Sequence, residues 1–399
     1  MKPRSLTGSA EVFLVFLRLG CTSFGGPIAH LGYFQREIVE RRKWCSEAVY
    51  AEIVALAQSL PGPASSQVGF ALGVLRAGWL GGVAAWVGFT LPSALLMLAF
   101  AYGHSLLTGG TGLSLLHGLQ IVAVAVVAQA VLTMQRALAP DSRRILFAIA
   151  AACIVLFGPP RFATLIVIAA GVVAGLIFCR AGATEKHEHA ELPLSKTAGK
   201  AAAVLFSVLL AFSVFALHTS AHPAAAVFSA FYRSGALVFG GGHVVLPLLE
   251  NAVVAPGWVT QQAFLAGYGA AQALPGPLFT FAAYLGAVIR PASSPLLYGL
   301  LGLLGIFTPG LLLMAAVLPF WSRLRTNQSM QSALCGINAS VVGILAAALV
   351  RPLWTSTVHT VGDFAFALAA FALLVIWKIQ PWIVVAGTAA AYVVATRIL

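Results

Sequence analysis

Charged residues are scarce in this chain, and acidic residues are the scarcest. Only 9% of the 399 residues are charged, with 11 Asp and Glu in all, while 60% are hydrophobic. A soluble domain carries about 25% charged residues, so a soluble globular protein is excluded. The mean hydropathy is +0.94, and the apolar residues form long segments. The composition therefore predicts an all-α, polytopic membrane protein embedded in a lipid bilayer.

Motifs of enzymes and ATP-driven pumps are also missing. Neither G-x-S-x-G nor G-x-x-x-x-G-K-[ST] occurs, which argues against a hydrolase and against an ATPase. The five cysteines are odd in number and have no metal-type spacing, so we interpret them as small apolar fillers. We expect no enzymatic activity, no cofactor and no metal.

The basic residues outnumber the acidic ones and give a formal net charge of +12. They lie at the ends of apolar segments, as the positive-inside rule places them, and form no stripe along a soluble helix. We therefore expect no nucleic-acid partner. An excess of positive charge suits a protein that handles anions.

Two short motifs occur twice, in the same order. Phe-Gly-Gly stands at 24–26 and 239–241, and Gln-x-Leu-Pro-Gly-Pro stands at 58–63 and 272–277. Such ordered matches indicate two homologous halves, roughly 10–178 and 225–397. Further matched pairs are Arg18 and Arg233, Trp44 and Trp258, Phe89 and Phe307, and Gly118 and Gly336.

The stretch between the halves sets the predicted domain boundaries. It contains His187-Glu188-His189, which could bind a metal. A solvated linker is the simpler interpretation, because no further ligands cluster there. The predicted parts are an N-terminal repeat 1–180, a cytoplasmic polar linker 181–199, an extra transmembrane helix 200–218 and a C-terminal inverted repeat 219–399.

The positions of the basic residues predict how the chain enters the membrane. Basic residues flank the first apolar run on both sides, which fits a re-entrant hairpin over 9–40, and a second hairpin follows over 47–76. Four spans and the extra helix then follow, so the second half starts on the other side. The basic loop 41–43 has a counterpart at 253–257 without a basic residue. We expect an inverted repeat with a cytoplasmic N-terminus, the architecture of many secondary transporters.

The four helix breaks are the candidate substrate site. A helix that restarts within the membrane leaves its first N–H groups unpartnered and carries about half a positive charge there. Inverted symmetry would gather four such starts near the midplane, which predicts a site for a small, multiply charged anion. Alternatively, the breaks are kinks at which Gly allows close helix packing. The residues assigned to the site are Gly25, Gly26, Gln58, Pro61, Gly62, Pro63, Ser65, Ser66, Gly240, Gly241, His243, Gln272, Pro275, Gly276, Pro277 and Thr280.

Two arginines complete the candidate set. Arg18 and Arg233 lie at matched positions inside apolar runs, about 9 Å of helix before their Gly pairs. A charge at membrane depth is functional by default, so both could balance a dianion, unless they snorkel to the interface. His30 and His243 follow Gly breaks and could carry protons, although histidines used only in packing are the simpler interpretation.

This twinned arrangement resembles the chromate ion transporter family, in particular its long, two-domain bacterial members. The resemblance rests on Arg18-x-Gly20, the Phe-Gly-Gly motifs and the hexads of both halves. The second half departs from the pattern at Gly242, which replaces a proline, and at Ala273, which replaces a serine. The resemblance implies export of chromate across the bacterial inner membrane, hence chromate resistance, with sulfate as a related oxyanion.

The functional hypothesis is a secondary transporter that exports chromate by alternating access of its two halves. The alternatives are an oxyanion channel and a non-transporting membrane sensor or scaffold. A homodimer is compatible with the sequence, but lipid-facing and partner-facing apolar surfaces look alike.

Overall fold

The computed structural model describes residues 6–104, 106–107, 109–159, 162–179, 195–219, 223–289, 294–321 and 327–398. All regular structure in these ranges is helical, which confirms the all-α prediction. The helices are α1 Leu6–Thr22, α2 Gly26–Phe34, α3 Glu47–Ser59, α4 Ala64–His104, α5 Gly110–Leu138, α6 Ser142–Phe157, α7 Ala163–Phe178, α8 Lys196–Thr219, α9 Pro223–Ala236, α10 Val245–Leu249, α11 Gln261–Gln272, α12 Phe281–Val288, α13 Pro295–Val317, α14 Gln328–Ala348, α15 Val361–Val375 and α16 Pro381–Ile398.

Short 3₁₀, α and π turns extend several helices. They are Gln35–Arg41 after α2, Gly242–Val244 before α10, Glu250–Val254 after α10, Leu278–Thr280 before α12, Leu318–Phe320 after α13, and Leu349–Trp354 and Thr355–Thr357 after α14.

Within the described ranges, six helices are long and apolar enough to cross a membrane. They are Ala64–His104, Gly110–Leu138, Lys196–Ala216, Pro295–Phe320, Gln328–Thr357 and Pro381–Ile398. The segment between the halves is only partly described. Residues 181–194 of the predicted linker, including the His-Glu-His sequence, lie outside the described residues, and residues 196–199 form the first turn of α8.

An ion cluster holds the bases of the two first-half hairpins together at one face. Glu11 Oε1 lies 3.2 Å from Arg42 Nη1, and its Oε2 lies 2.9 Å from Arg76 Nη2. Both guanidinium groups also lie over the Trp44 ring, at 5.8 and 5.3 Å from its centre. Glu11 is near the start of α1, Arg42 follows α2, and Arg76 ends the first arm of α4. Both hairpins therefore enter from the same face, called the basic face below, and return to it, as predicted.

Helix α4 reverses direction where the sequence predicts the second hairpin to end. Ala77 (φ −139°) and Gly78 (φ 71°) are non-helical and divide it into arms 64–76 and 79–104. The arms pack antiparallel, since a Cβ added to Gly73 would lie 2.3 Å from the Gly81 carbonyl oxygen. The first arm thus returns to the basic face, and the second arm crosses the membrane.

Contacts between helix ends show that the second half is inverted. The second arm of α4, α5 and α8 are long enough to cross. The shorter α6 and α7 lie between α5 and α8 and run antiparallel, since Phe147 of α6 packs against Phe178 at the end of α7. Helix α9 therefore starts at the face opposite the basic one. In agreement, Cys179 after α7 contacts Cys335 near the start of α14, which places both at the basic face. Arg397 at the end of α16 donates to Thr111 near the start of α5, at a distance of 2.6 Å, which places both at the opposite face.

Buried side chains of the two halves mix in shared cores. Met314 of α13 packs among first-half residues such as Phe16 and Phe89. Conversely, Met97 of α4 and Val124 of α5 pack with the core around α9 to α12. Neither half encloses its core alone.

Candidate functional site

Each half completes a broken hairpin of the other half. The Gly62 N–H donates to the Val238 carbonyl at 2.8 Å, and the Gly276 N–H donates to the Ser23 carbonyl at 2.9 Å. Gly62 and Gly276 hold the same position in the two hexads, and Val238 and Ser23 each precede Phe-Gly-Gly. The two bonds are therefore one contact repeated by pseudo-twofold symmetry, and hairpin tips from opposite faces meet inside the protein.

The remaining contacts bring all four breaks together. A Cβ added to Gly242 would lie 3.4 Å from Pro27 Cγ and 3.8 Å from Leu278 Cδ2. The starts of three helical segments are thus neighbours, and the start of α4 joins them through Gly62. We call residues 23–27, 60–66, 238–243 and 274–280 the break cluster.

Glycine is required at positions 62 and 276, in the two Gln-x-Leu-Pro-Gly-Pro motifs, both by the backbone conformation and by the lack of room for a side chain. Gly62 has φ 123° and Gly276 has φ 91°, values that L-residues with side chains rarely adopt. A Cβ on Gly62 would lie 2.8 Å from Gly310 Cα, and one on Gly276 would lie 2.8 Å from Ser93 Oγ. Ser93 and Gly310 directly follow Pro92 and Pro309, which stand three and two residues after the matched Phe89 and Phe307. The symmetry therefore extends to the surroundings of each tip.

Helix starts at the break cluster differ from helix starts at the loops. Many loop starts have a side-chain oxygen that caps a first-turn N–H, supplied by Ser46, Asp141, Thr260, Ser294, Asn327 and Thr360. At the breaks, Gly25, Gly241 and Pro277 provide no side-chain cap. The two second-half restarts begin as 3₁₀ turns, which the sequence did not predict. The helix starts at the cluster therefore have no side-chain acceptor for their first N–H groups, although the Val244 and Thr280 N–H groups donate to the carbonyls of Gly241 and Pro277.

Buried polar atoms without a hydrogen-bond partner concentrate in and around the cluster. Among the described residues, more than half of such atoms belong to Ser23, His30, Ser66, Gln67, Thr90 and Gln272. His30 and Ser66 are each only 1% exposed. An unsatisfied buried donor costs about 1–3 kcal/mol, and such groups in native proteins call for an ion, water or ligand to explain them. Hydroxyl, imidazole and amide groups suit a ligand that is rich in oxygen atoms.

Two of these polar side chains, His30 and Gln67, contact the surroundings of the Pro-Gly-Pro segments. The His30 ring packs edge-on against Phe89, with centres 5.2 Å apart, and the Phe89 carbonyl oxygen would lie 3.3 Å from a Cβ on Gly276. Gln67 Nε2 donates to the Pro61 carbonyl at 3.0 Å and to the Gly310 carbonyl at 2.9 Å, which leaves its Oε1 buried and unpaired.

Other predicted site residues have partners of their own or are exposed. His243 Nδ1 lies 2.7 Å from Tyr268 Oη, and the Thr280 hydroxyl donates to the Pro277 carbonyl at 2.9 Å. Ser65 is buried in the first turn of α4, whereas Gln58 is exposed. The glycines and prolines of both motifs, namely Gly25, Gly26, Pro61, Gly62, Pro63, Gly240, Gly241, Pro275, Gly276 and Pro277, lie within the cluster.

The two predicted arginines lie apart from these contacts. Arg18 is exposed on α1. Arg233 donates through Nη1 to the Ser213 carbonyl of α8, the helix that covers α9. Neither guanidinium is among the groups that join the breaks in the described conformation.

Ser23, Gln67 and Thr90 are not predicted as site residues from the sequence. Thr90 follows Phe89 as Thr308 follows the matched Phe307, and this repetition is a signal that could have found it. Gln67 has no such signal, because its counterpart in the second half is Phe281. Its position at the cluster depends on Gly310, a residue of the other half.

Comparison with known proteins identifies a family for the chain. A model of the chromate transporter family matches residues 10–176 and 225–393. The chromate transport protein of Pseudomonas aeruginosa is 31% identical over 378 residues, which cover 92% of this chain and 87% of that protein. The probable chromate transport protein of Synechococcus elongatus is 28% identical, with 95% and 93% covered. The chromate transport protein of Cupriavidus metallidurans is 25% identical, with 98% and 94% covered.

No solved structure matches the chain significantly. The family match nevertheless covers both halves with their twinned motifs, and the chain therefore belongs to the chromate transporter family.

Proposed function

We propose that this multi-pass membrane protein is a secondary transporter that exports chromate across the bacterial inner membrane, handles sulfate as well, and thereby gives chromate resistance. Family membership supports chromate transport. The observation that carries the site is the convergence of uncapped helix starts and unpartnered polar atoms from both halves at the break cluster.

The charge of the cluster matches the charge of the substrate. Each helix start carries about half a positive charge, so four starts provide about two, which is what a dianion needs. Chromate and sulfate are tetrahedral dianions of similar size, and their oxygens accept hydrogen bonds from N–H groups and hydroxyls. We assign binding to the N–H groups at the four restarts, to the Ser65 and Ser66 hydroxyls, and to the Gln58 and Gln272 amides.

Arg18 and Arg233 are a separate part of the proposal. If they balance the dianion, Arg18→Gln and Arg233→Gln should each abolish or sharply reduce transport. Near-normal transport in both variants would leave substrate binding to the helix starts alone.

Alternating access follows from the inverted architecture. In the described conformation the two Pro-Gly-Pro segments are buried at Gly62, Pro63, Gly276 and Pro277, whereas Gly25 of the first Phe-Gly-Gly motif is exposed. In an inverted repeat the two halves can exchange their conformations, so that the site opens first to one face and then to the other. Opening requires the reciprocal bonds at Gly62 and Gly276 to break and re-form during the cycle.

Charge supports a cytoplasmic basic face, and with it a cytoplasmic N-terminus. At the opposite face the described basic residues are Arg351 and Arg397. Those at the basic face are Arg36, Arg41, Arg42, Lys43, Arg76, Arg136, Arg143, Arg144, Lys196, Lys200 and Lys378.

The exposed Arg18 supports a homodimer. Its counterpart Arg233 is covered by α8, whereas Arg18 lies on α1 near Leu14, which is 62% exposed. A charge facing hydrocarbon is costly, so we propose that a second copy covers α1. Native mass spectrometry in lipid nanodiscs tests this: we expect dimers, and a purely monomeric protein would contradict the proposal.

Two alternatives make different predictions for one experiment. Inverted membrane vesicles convert export into uptake of radiolabelled chromate, measured with and without sulfate, a pH gradient and a membrane potential. A transporter concentrates chromate only when energised, and sulfate competes with it. Uptake that only equilibrates would show an oxyanion channel, whereas chromate binding without flux would show a sensor or scaffold.

A further inference from the structure

Two cysteines from different halves contact each other at the basic face. Cys179 directly follows α7, and Cys335 lies near the start of α14, with their Sγ atoms 2.9 Å apart. Both are free thiols. The contact joins the last helix of the first half to a helix of the second half.

Close helix packing produces this contact. A Cβ added to Gly175 of α7 would lie 2.2 Å from the Ser332 carbonyl oxygen, and one added to Gly336 of α14 would lie 2.0 Å from the Gly171 carbonyl oxygen. The two backbones therefore approach as closely as small residues allow. The sulfur atoms lie within about 1 Å of the S–S bond length of a disulfide, about 2.05 Å.

The thiols are open to small molecules from the aqueous side. A cavity of about 440 Å³ is lined by both cysteines and by Asp141, Arg143 and Arg144. Arg144 Nε lies 2.5 Å from Asp141 Oδ2, so the guanidinium is held beside the thiols, where a positive charge favours the thiolate. Burial acts in the other direction and raises the pKa of Cys179. We therefore expect the pair to rest as thiols and to react faster as the pH rises.

We propose that Cys179 and Cys335 form a redox-active dithiol whose oxidation covalently joins the two halves. With hydrogen peroxide as the oxidant, the Cys179 thiolate attacks one peroxide oxygen, the O–O bond breaks, and hydroxide leaves. The Cys335 sulfur then attacks the sulfenic acid sulfur of Cys179; the S–S bond forms, the S–O bond breaks, and water leaves with the thiol proton. In sum, two thiols and one peroxide give one disulfide and two waters.

The test uses the full chain with Cys21, Cys45 and Cys153 replaced by Ser and a protease site inserted between residues 180 and 195. After peroxide treatment and cleavage, we expect the two fragments to run as one band on a non-reducing gel and as two bands after dithiothreitol. The uncleaved protein should lose the mass of two hydrogen atoms. The readout is a covalent bond, so it does not depend on the transport activity proposed above.

A matched control keeps one cysteine in each half but changes its place. A chain that retains only Cys153, on α6, and Cys335 should give separate fragments after peroxide. Cys179→Ser and Cys335→Ser in the test background should also give separate fragments, and the remaining thiol should gain oxygen. The proposal is overturned if the chain that retains Cys179 and Cys335 gives separate fragments, whether its mass is unchanged or increased by oxygen.

Discussion

Gly62 and Gly276 are the residues of the break cluster at which a side chain should be tolerated least. Each combines a positive φ, a close neighbour and a hydrogen bond to the other half. Their neighbours differ, because Gly62 faces the backbone of Gly310 while Gly276 faces the hydroxyl of Ser93. A hydroxyl can rotate away and a backbone atom cannot, so the two glycines are not equally replaceable.

We expect Gly62→Ala to destabilise the protein by about 1–3 kcal/mol, from the strained φ and the backbone clash. Gly276→Ala should destabilise it less. Gly387→Ala is the matched control, because a Cβ there has no neighbour within 4 Å. Thermal unfolding in detergent measures the effect. A Gly62→Ala protein as stable as Gly387→Ala would contradict the reciprocal-tip geometry.

Ser66 tests whether the unpartnered polar atoms bind substrate. Its hydroxyl is buried without a partner, so Ser66→Ala should not lower stability. If the hydroxyl binds the dianion, the loss of a hydrogen bond to a charged group should raise the apparent KM about tenfold or more. Vesicle uptake over a range of chromate concentrations measures this.

Ser229→Ala is the control for Ser66→Ala. Its hydroxyl is also buried and unpartnered, but it lies on α9 before Arg233, outside the break cluster. We expect normal uptake from this variant. Equal effects of the two substitutions would show that Ser66 has no special role in binding.

At this scale the sequence predicts backbone roles better than side-chain roles. Gly and Pro predict a helix break from the sequence alone, because their backbone preferences are intrinsic to the residue. The contact of Gln67 with Gly310 joins distant parts of the chain, and no local pattern encodes it. The same holds for Arg233, whose partner is a backbone carbonyl of α8.

Among the helices, α4 shows how an apolar run can hide a reversal. Residues 64–104 are helical throughout except at Ala77 and Gly78, where the chain turns so that Gly73 packs against Gly81. Arg76 marks the turn in the sequence, since a charge beside it belongs at the interface. The end of the second hairpin predicted at 76 agrees with this turn for that reason.

We expect Gly73→Ala to separate the two arms of α4 and to destabilise the protein by about 1–3 kcal/mol. Its added Cβ meets the backbone of Gly81, which cannot give way without moving the second arm. Gly103→Ala, in the same helix but with no neighbour within 4 Å, should leave the melting temperature nearly unchanged. If Gly73→Ala had the same melting temperature as Gly103→Ala, that result would argue against antiparallel packing of the two arms of α4.

At the scale of the whole molecule, the inversion is the main property that the sequence predicts. It could be predicted because the positive-inside rule acts on loops, which differ between the halves even where the helices match. The mixing of buried side chains from both halves in shared cores could not be predicted, since any apolar residue is equally suited to contact lipid, its own half or the other half.

Sidedness can be measured with a membrane-impermeant maleimide on single cysteines in a cysteine-free background. Lys43→Cys lies at the basic face, and Val361→Cys, at a residue 85% exposed, lies at the opposite face. We expect Val361→Cys to react in spheroplasts and Lys43→Cys to react only in inverted vesicles. Reaction of both positions from the same side would contradict the inverted arrangement.

The bond from Gly276 to Ser23 also has a consequence for biogenesis. The ribosome releases Ser23 early, but the group that closes its break is synthesised only after most of the chain has entered the membrane. Throughout that interval the first hairpin must keep an open backbone among lipids or be shielded by the insertion machinery. Premature termination between the halves should therefore yield a fragment that cell proteases remove, and supplying the second half as a separate polypeptide should rescue it.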